Sequence, residues 1–229
     1  MGENIVALNK TSIDWPGLTH TWNPGYGCLR NCTKETRGFD CYAKALHNMR
    51  MDAKKNGARL PAIYDKPFNM MQFFPNRLKI VKKSRVVKKV FVGSMTDICY
   101  WKREWTEKVL GVCKDRPEIT FMFLTKNPLL YQAYKWPENC QLGVTITGNE
   151  TIRAQWDSLA MIEALPYYTF ISFEPLIGEI IYNPHETVNL VIVGADSTKG
   201  AKPPKKEWIK SIDHPNIHWK ANIKKYKQG

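Results

Sequence analysis

From about Lys89 onward, short and nearly continuous apolar runs alternate with stretches in which apolar residues recur every three or four positions. βα units feeding a parallel sheet produce this alternation: a strand covered on both faces needs apolar side chains on both, whereas a crossover helix buries only one stripe. Strands are predicted at Lys89–Gly93, Ile119–Leu124, Gln141–Thr145, Thr169–Phe173, Asn189–Val193 and Asn216–Trp219, with a seventh at Thr19–Trp22. Crossover helices are predicted over Glu104–Cys113, Pro128–Tyr134, Thr151–Leu165 and Lys205–Ile212, and a further helix over Cys41–Lys55. Right-handed crossovers between these strands give an α/β fold, a partial (β/α)6-type barrel of parallel strands, with a doubly wound open sheet as the alternative. The 229 residues make a single domain, with an irregular insertion over about 54–85 and a basic C-terminal tail over about 221–229.

Charge narrows the partners. The chain has 34 Lys+Arg against 21 Asp+Glu, a formal charge of +13. Arg77–Lys89 holds seven basic residues and no acid, and Lys199–Lys227 holds nine lysines against Glu207 and Asp213. Phosphate is the natural counterpart of such clusters, so a nucleic-acid or nucleotide partner is expected, a merely solvated surface being the other reading. No apolar run approaches the roughly 18–20 residues that a bilayer span needs, so no membrane association is expected. The opening MGENIVALNK lacks a basic region followed by an apolar stretch, and the expected location is the cytoplasm.

Six cysteines without a secretory leader argue for thiol chemistry or metal ligation rather than a disulfide framework. Cys99, Cys113 and Cys140 are scattered and read as structural. Cys28, Cys32 and Cys41 instead form a C-x3-C-x8-C loop within residues 22–43, just after the first predicted strand. Three thiolates can hold three irons of a four-iron four-sulfur cluster and leave the fourth iron open. They can equally contribute to a tetrahedral zinc site, with His20 or His47 as the fourth ligand, and the spacing alone leaves both readings open.

In parallel barrels the site lies at the carboxyl ends of the strands. There the chain carries Gly93-Ser94-Met95-Thr96-Asp97, Thr125-Lys126, Thr147-Gly148-Asn149-Glu150, Glu174-Pro175 and Gly194-Ala195-Asp196-Ser197. Caps and solvated loops account for many such residues. Lys126 and Glu174 stand out because each directly adjoins a strand buried on both faces, where a charge needs a partner or a ligand.

Asn23-Pro-Gly-Tyr-Gly-Cys28, Cys32 and Cys41-Tyr42-Ala43, followed in order by Gly93-Ser94-Met95-Thr96-Asp97, Leu124-Thr125-Lys126, Gly143-Val144-Thr145, Phe173-Glu174-Pro175-Leu176 and Ile192-Val193-Gly194, resemble the radical S-adenosylmethionine (SAM) superfamily. The likeness is nearest to its spore-photoproduct-lyase-like branch and to the phage-encoded family named after phage gene products thirty-seven and sixty-eight. It spans roughly residues 12–220. The resemblance implies that Cys28, Cys32 and Cys41 ligate a four-iron four-sulfur cluster and that SAM chelates the open iron. It further implies that Gly93, Ser94 and Asp97 line the methionine end of SAM, that Tyr42 or Phe39 contacts the adenine, and that Lys126, Asn149 and Glu174 face the ribose or the substrate. A one-electron reductant such as flavodoxin or ferredoxin is implied as a partner. The superfamily usually has two residues between its second and third cysteines, whereas eight intervene here, Thr33 to Asp40. Outside that resemblance, the residues also suit a non-enzymatic nucleic-acid-binding protein with a structural zinc or cluster, or a nucleotide-processing barrel enzyme that uses Lys126, Glu174 and Asp97 without a radical.

Overall fold

The structure, a computed structural model, describes residues 8–30 and 32–227. An eight-stranded sheet forms its centre, in the order β1 (Leu8–Lys10), β2 (His20–Trp22), β5 (Lys89–Val92), β6 (Thr120–Thr125), β7 (Cys140–Thr145), β8 (Tyr168–Phe173), β9 (Leu190–Val193) and β10 (Ile217–Trp219). Only β1 runs antiparallel to its neighbour, and every other pairing is parallel. The fold is therefore mixed α/β with a mostly parallel central sheet, and each predicted strand is present within a residue or two.

Strand alternation sends successive side chains to opposite faces. Val90, Val92, Phe121, Phe123, Leu142, Val144, Ile171 and Val193 share one cluster with Val109 and Cys113 of α4 (Arg103–Asp115), Ile162 of α5 (Ile152–Glu163), Ile209 of α6 (Lys206–Lys210) and Ile223 of α7 (Ala221–Lys227). The opposite face carries no helix in its cluster. Phe91, Met122, Phe170, Leu190 and Ile192 converge there on Trp15 and Leu18 from the β1–β2 connection. The Trp15 ring lies 4.7 Å from Phe91 and 5.5 Å from Phe170, centroid to centroid. Gly143 makes room for this layer, since a Cβ there would lie 2.3 Å from the Phe170 ring. Burying each such ring contributes about 1.5–3 kcal/mol, so a methyl group at Gly143 would displace a large part of this small core.

The connection between β2 and β5 departs from expectation. The stretch over about 54–85, read as an irregular insertion, contains β4 (Gln72–Phe73) and α3 (Leu78–Lys83) and folds back onto the cysteine loop. β4 pairs antiparallel with β3 (Gly25–Tyr26), Phe68 O accepts from Cys28 N at 3.1 Å, and Arg77 donates to Asn23 O at 2.7 Å. Arg77 is buried, with its guanidinium over the Phe74 ring, so the first residue of the Arg77–Lys89 basic cluster serves the fold rather than a polyanion. The predicted crossover helix over Pro128–Tyr134 is a 3-10 segment, Pro128–Ala133. Lys205–Ile212 shortens to α6, and α7 occupies much of the predicted basic tail. Among the described residues, no helix is long and apolar enough to cross a membrane.

Candidate functional site

A cavity of about 300 Å³ opens at the carboxyl ends of the parallel strands. Ten of the eleven residues to which the resemblance gives a role line it: Cys28, Cys32, Phe39, Cys41, Tyr42, Gly93, Ser94, Asp97, Lys126 and Glu174. Asn149 does not. Its side chain lies against Gly38, where a Cβ would approach its amide nitrogen to 3.1 Å.

Local physics explains how the long C-x8-C spacer is accommodated. Thr33 and Thr36 form a reciprocal capping box around α1 (Lys34–Arg37), and Gly38 closes the turn in the left-handed region at φ 77° while donating to Lys34 O at 3.0 Å. The eight residues thus fold into a capped turn, and Cys41 N donates to Cys32 O at 3.4 Å at its base. Cys41 then precedes α2 (Tyr42–Lys55). Upstream, Gly27 has φ 87°, and a Cβ there would lie 2.6 Å from Phe68 O, so only glycine fits that approach to Cys28. Burial pushes the Cys28 thiol up to about 11, with Asp97 and Cys41 adding to the shift. Burial also raises Cys32, opposed by Lys126 and, more weakly, by Arg30 and Arg37. Among the described residues, no group of three or more His, Cys, Asp or Glu side chains is drawn together closely enough to hold a metal ion.

The histidines considered as a fourth zinc ligand lie elsewhere. His20 opens β2 at its amino end, and His47 is buried among Tyr26, Tyr64 and Phe68 with Nδ1 3.0 Å from the Tyr26 hydroxyl. Neither lines the cavity.

The acids on the cavity wall are already engaged. Asp97 Oδ1 accepts from Thr125 Oγ1 at 2.6 Å and from Cys99 N at 3.3 Å, while Oδ2 accepts from Lys126 N at 3.2 Å. Asp97 therefore ties the end of β5 to the end of β6, a structural duty beyond the SAM contact expected of it. Glu174 accepts from Lys220 Nζ and, at 3.3 Å, from Trp15 Nε1. Gly194 lies between the partners, and a Cβ there would meet Lys220 at 2.9 Å and Glu174 at 3.0 Å. Lys126 Nζ stands 5.9 Å from the Phe39 ring centroid on the cavity wall. Tyr42 donates its hydroxyl to Ser94 O, and Ser94 Oγ exchanges hydrogen bonds with the Asn23 amide, which also accepts from Met95 N at 3.0 Å.

Two lining residues were given no role in the sequence reading. Thr145 and Ser172 are register partners at the ends of β7 and β8, both buried, and neither hydroxyl has a hydrogen-bond partner among the described residues. Both residues line the cavity, as do the apolar Trp15, Phe91 and Leu124. A buried polar group without a partner costs about 1–3 kcal/mol. Strand parity was the available signal, because Thr145 follows Gly143 and Ser172 follows Phe170 at two-residue spacing.

Comparison with the curated proteins and with the solved structures finds no match. The model of one family, described as a protein of unknown function (DUF5131), matches residues 10–222, and the chain belongs to that family.

Proposed function

We propose that the chain is a radical SAM enzyme that abstracts hydrogen from a nucleic-acid or nucleotide substrate, with Cys28, Cys32 and Cys41 as the ligands of a four-iron four-sulfur cluster. The observation that carries this reading is the closure of the cysteine loop. Its capped turn returns Cys41 to Cys32, and all three cysteines line one cavity at the strand ends. The donor set favours a cluster over zinc, since three thiols face the cavity and neither candidate histidine does. When bound, the cluster and SAM supply, after one-electron reduction by a flavodoxin- or ferredoxin-type donor, the 5′-deoxyadenosyl radical.

The remaining work falls to the chain. Burial raises the Cys28 and Cys32 thiols, so loading requires proton release from them. Lys126 favours the thiolate form of Cys32. Trp15, Phe91 and Leu124 exclude water beneath the bound ligand. The sheet is read as a partial barrel. In support, helices cover one face only, the other face converges on Trp15, and the two ends of the sheet approach each other where His218 of β10 meets Asp14 Oδ1 at 2.9 Å.

Anaerobic reconstitution with iron and sulfide tests the proposal. About four irons per chain are expected, lost on Cys→Ala at 28, 32 or 41 and kept on Cys→Ala at 99, 113 or 140. Stoichiometric zinc with no iron uptake would overturn it.

A further inference from the structure

The three cysteines of the cavity are held by different parts of the fold. Cys41 N donates to Cys32 O at 3.4 Å, so the two residues meet at the base of the capped turn. Facing residues joined by main-chain hydrogen bonds across a strand pair have Cα atoms about 4.5–5.5 Å apart, inside the roughly 4.4–6.8 Å that a disulfide spans. The turn between them keeps its own shape through the Thr33–Thr36 capping box and the left-handed Gly38. Cys28 is tethered elsewhere. Its N–H donates to Phe68 O at 3.1 Å, and the preceding Gly27 bridges to Thr96 and donates to Met95 O at 3.0 Å. All three are free thiols lining one cavity, with Cys28 and Cys41 half-buried and Cys32 at 5% exposure. Cys113 and Cys140 also meet, thiol to thiol, but both are 0% exposed and neither lines the cavity, which leaves them out of an oxidant's reach.

We propose that Cys32 and Cys41 are a reversible disulfide-forming pair, oxidised by glutathione disulfide or another small disulfide while the cavity holds no metal centre, with Cys28 left as a free thiol. Two thiol–disulfide exchanges make the bond. Cys41 Sγ, on the more exposed residue, attacks one sulfur of the oxidant, releasing one thiol and leaving a mixed disulfide. Cys32 Sγ then attacks Cys41 Sγ and releases the second thiol. One S–S bond breaks and one forms, and the two electrons and two protons that the cysteines lose leave on the two released thiols. Cys32 needs no access of its own, because its step is intramolecular. The capped turn already holds the ends together, so closing the ring costs little further chain entropy. The pair itself is independent of the cluster reading. Its consequence rests on that reading: an oxidised loop withholds two of the three thiolates, so cluster loading comes under redox control.

The test equilibrates the metal-free full chain with glutathione redox buffers at about pH 8, quenches with acid, alkylates in denaturant and maps the cysteines by mass spectrometry. A Cys32–Cys41 cross-link is expected, with Cys28, Cys99, Cys113 and Cys140 alkylated. Cys28→Ser should keep the link, and Cys32→Ser or Cys41→Ser should abolish it. Thr33→Ala removes the cap of the turn and should lower the equilibrium constant for oxidation by up to about fivefold. A link that includes Cys28, a glutathione adduct that stops at Cys41, or no oxidation overturns the pair, and an unchanged constant in Thr33→Ala overturns the part given to the turn. Cobalt(II), added without reductant or sulfide, reads the consequence. Thiolate-to-metal absorption is expected from the reduced protein, much weaker from the oxidised one, and restored after dithiothreitol and desalting. Equal absorption from both forms overturns redox control. Failure of iron uptake by the reduced protein removes the cluster reading and leaves the cross-link standing, so the two failures are separable.

Discussion

The indole N–H of Trp15 donates to Glu174 Oε2 at 3.3 Å across 159 residues of sequence. Through this bond the β1–β2 connection, whose Trp15 ring fills the centre of the helix-free face, also fixes the carboxylate at the end of β8. Glu174 takes its second partner, Lys220, from the residue after β10. Core packing and the charge distribution of the cavity are thus coupled in one residue.

Lys220→Met should therefore lower stability by about 1–2 kcal/mol. Breaking a fully buried pair costs about 3–5 kcal/mol, but these side chains keep 13% and 23% exposure and water screens the orphaned carboxylate. Urea unfolding reads the loss. Lys220→Met/Glu174→Gln should recover part of it, and an unchanged midpoint in Lys220→Met would mean that the pair contributes nothing to the fold.

Thr145→Val should stabilise the ligand-free protein by about 1 kcal/mol, because it replaces an unpaired buried hydroxyl with a methyl group of the same shape. The hydroxyl is fully buried, so the same change should leave SAM binding to reconstituted protein unchanged. Calorimetry with both proteins decides it: a destabilised apo form would mean that Thr145 is already satisfied, and weakened SAM binding would mean that the ligand reaches the hydroxyl.

Gly27→Ala should reduce iron incorporation and cost roughly 2 kcal/mol, combining left-handed backbone strain with a 2.6 Å approach to Phe68 O. Gly57, at φ 92° with nothing near its Cβ direction, isolates the backbone contribution. Gly57→Ala should cost about 1 kcal/mol and leave iron content at the parent level. Equal iron loss in both would trace the effect to general destabilisation.

Acid should expose the contact between the two ends of the sheet. Burial raises the Asp14 carboxyl, but donation from Ala221 N and from His218, together with the charges of His218 and Lys220, outweighs it and holds the group below its ordinary 3.8. A carboxyl depressed in the folded state contributes stability above its unfolded pKa and loses it as pH falls through the lower folded value. The deficit of Asp14→Asn relative to the parent should thus be present at pH 5 and shrink below about pH 4. Denaturant unfolding at a series of pH values measures it, and a deficit unchanged down to pH 3 would assign the effect to something other than this charge.

Polyanion binding should depend on the loop after β9. Ala195 to Thr198 line the cavity, and the exposed Lys199, Lys202 and Lys205 continue from them. Lys82 is paired with Asp115 on the far side of the strand order, before β5 begins. Charge reversal at Lys199, Lys202 and Lys205 should lower RNA or DNA affinity more than reversal at Lys82, Lys83 and Lys88, with a shallower salt dependence. Equal losses would indicate nonspecific attraction.

Strand parity and helical spacing made the seven parallel strands, α4 and α5 legible, because those signals are local, whereas β1 went unread. Lys220 and Trp15 were not legible, since their meeting with Glu174 joins segments 46 and 159 residues apart. The β3–β4 pairing was equally hidden: two residues per strand carry no periodicity, and proline, glycine and aromatic residues in that stretch read as irregular chain. Asn149 shows the limit of reasoning from strand ends, which assigns a loop to the correct rim without fixing which way a side chain turns.

The capped turn between Cys32 and Cys41 separates two quantities that motif spacing treats as one: the contour of the chain and the chord between its ends. A ligand pair is sensitive only to the chord. Once a helical turn with its own caps takes up the contour, residues can be gained or lost outside the hydrogen bond that joins the base without altering what the sulfurs present inward. A search keyed to fixed cysteine spacing would pass over such chains, whereas one keyed to a capping threonine after the second cysteine and a glycine before the third would find them.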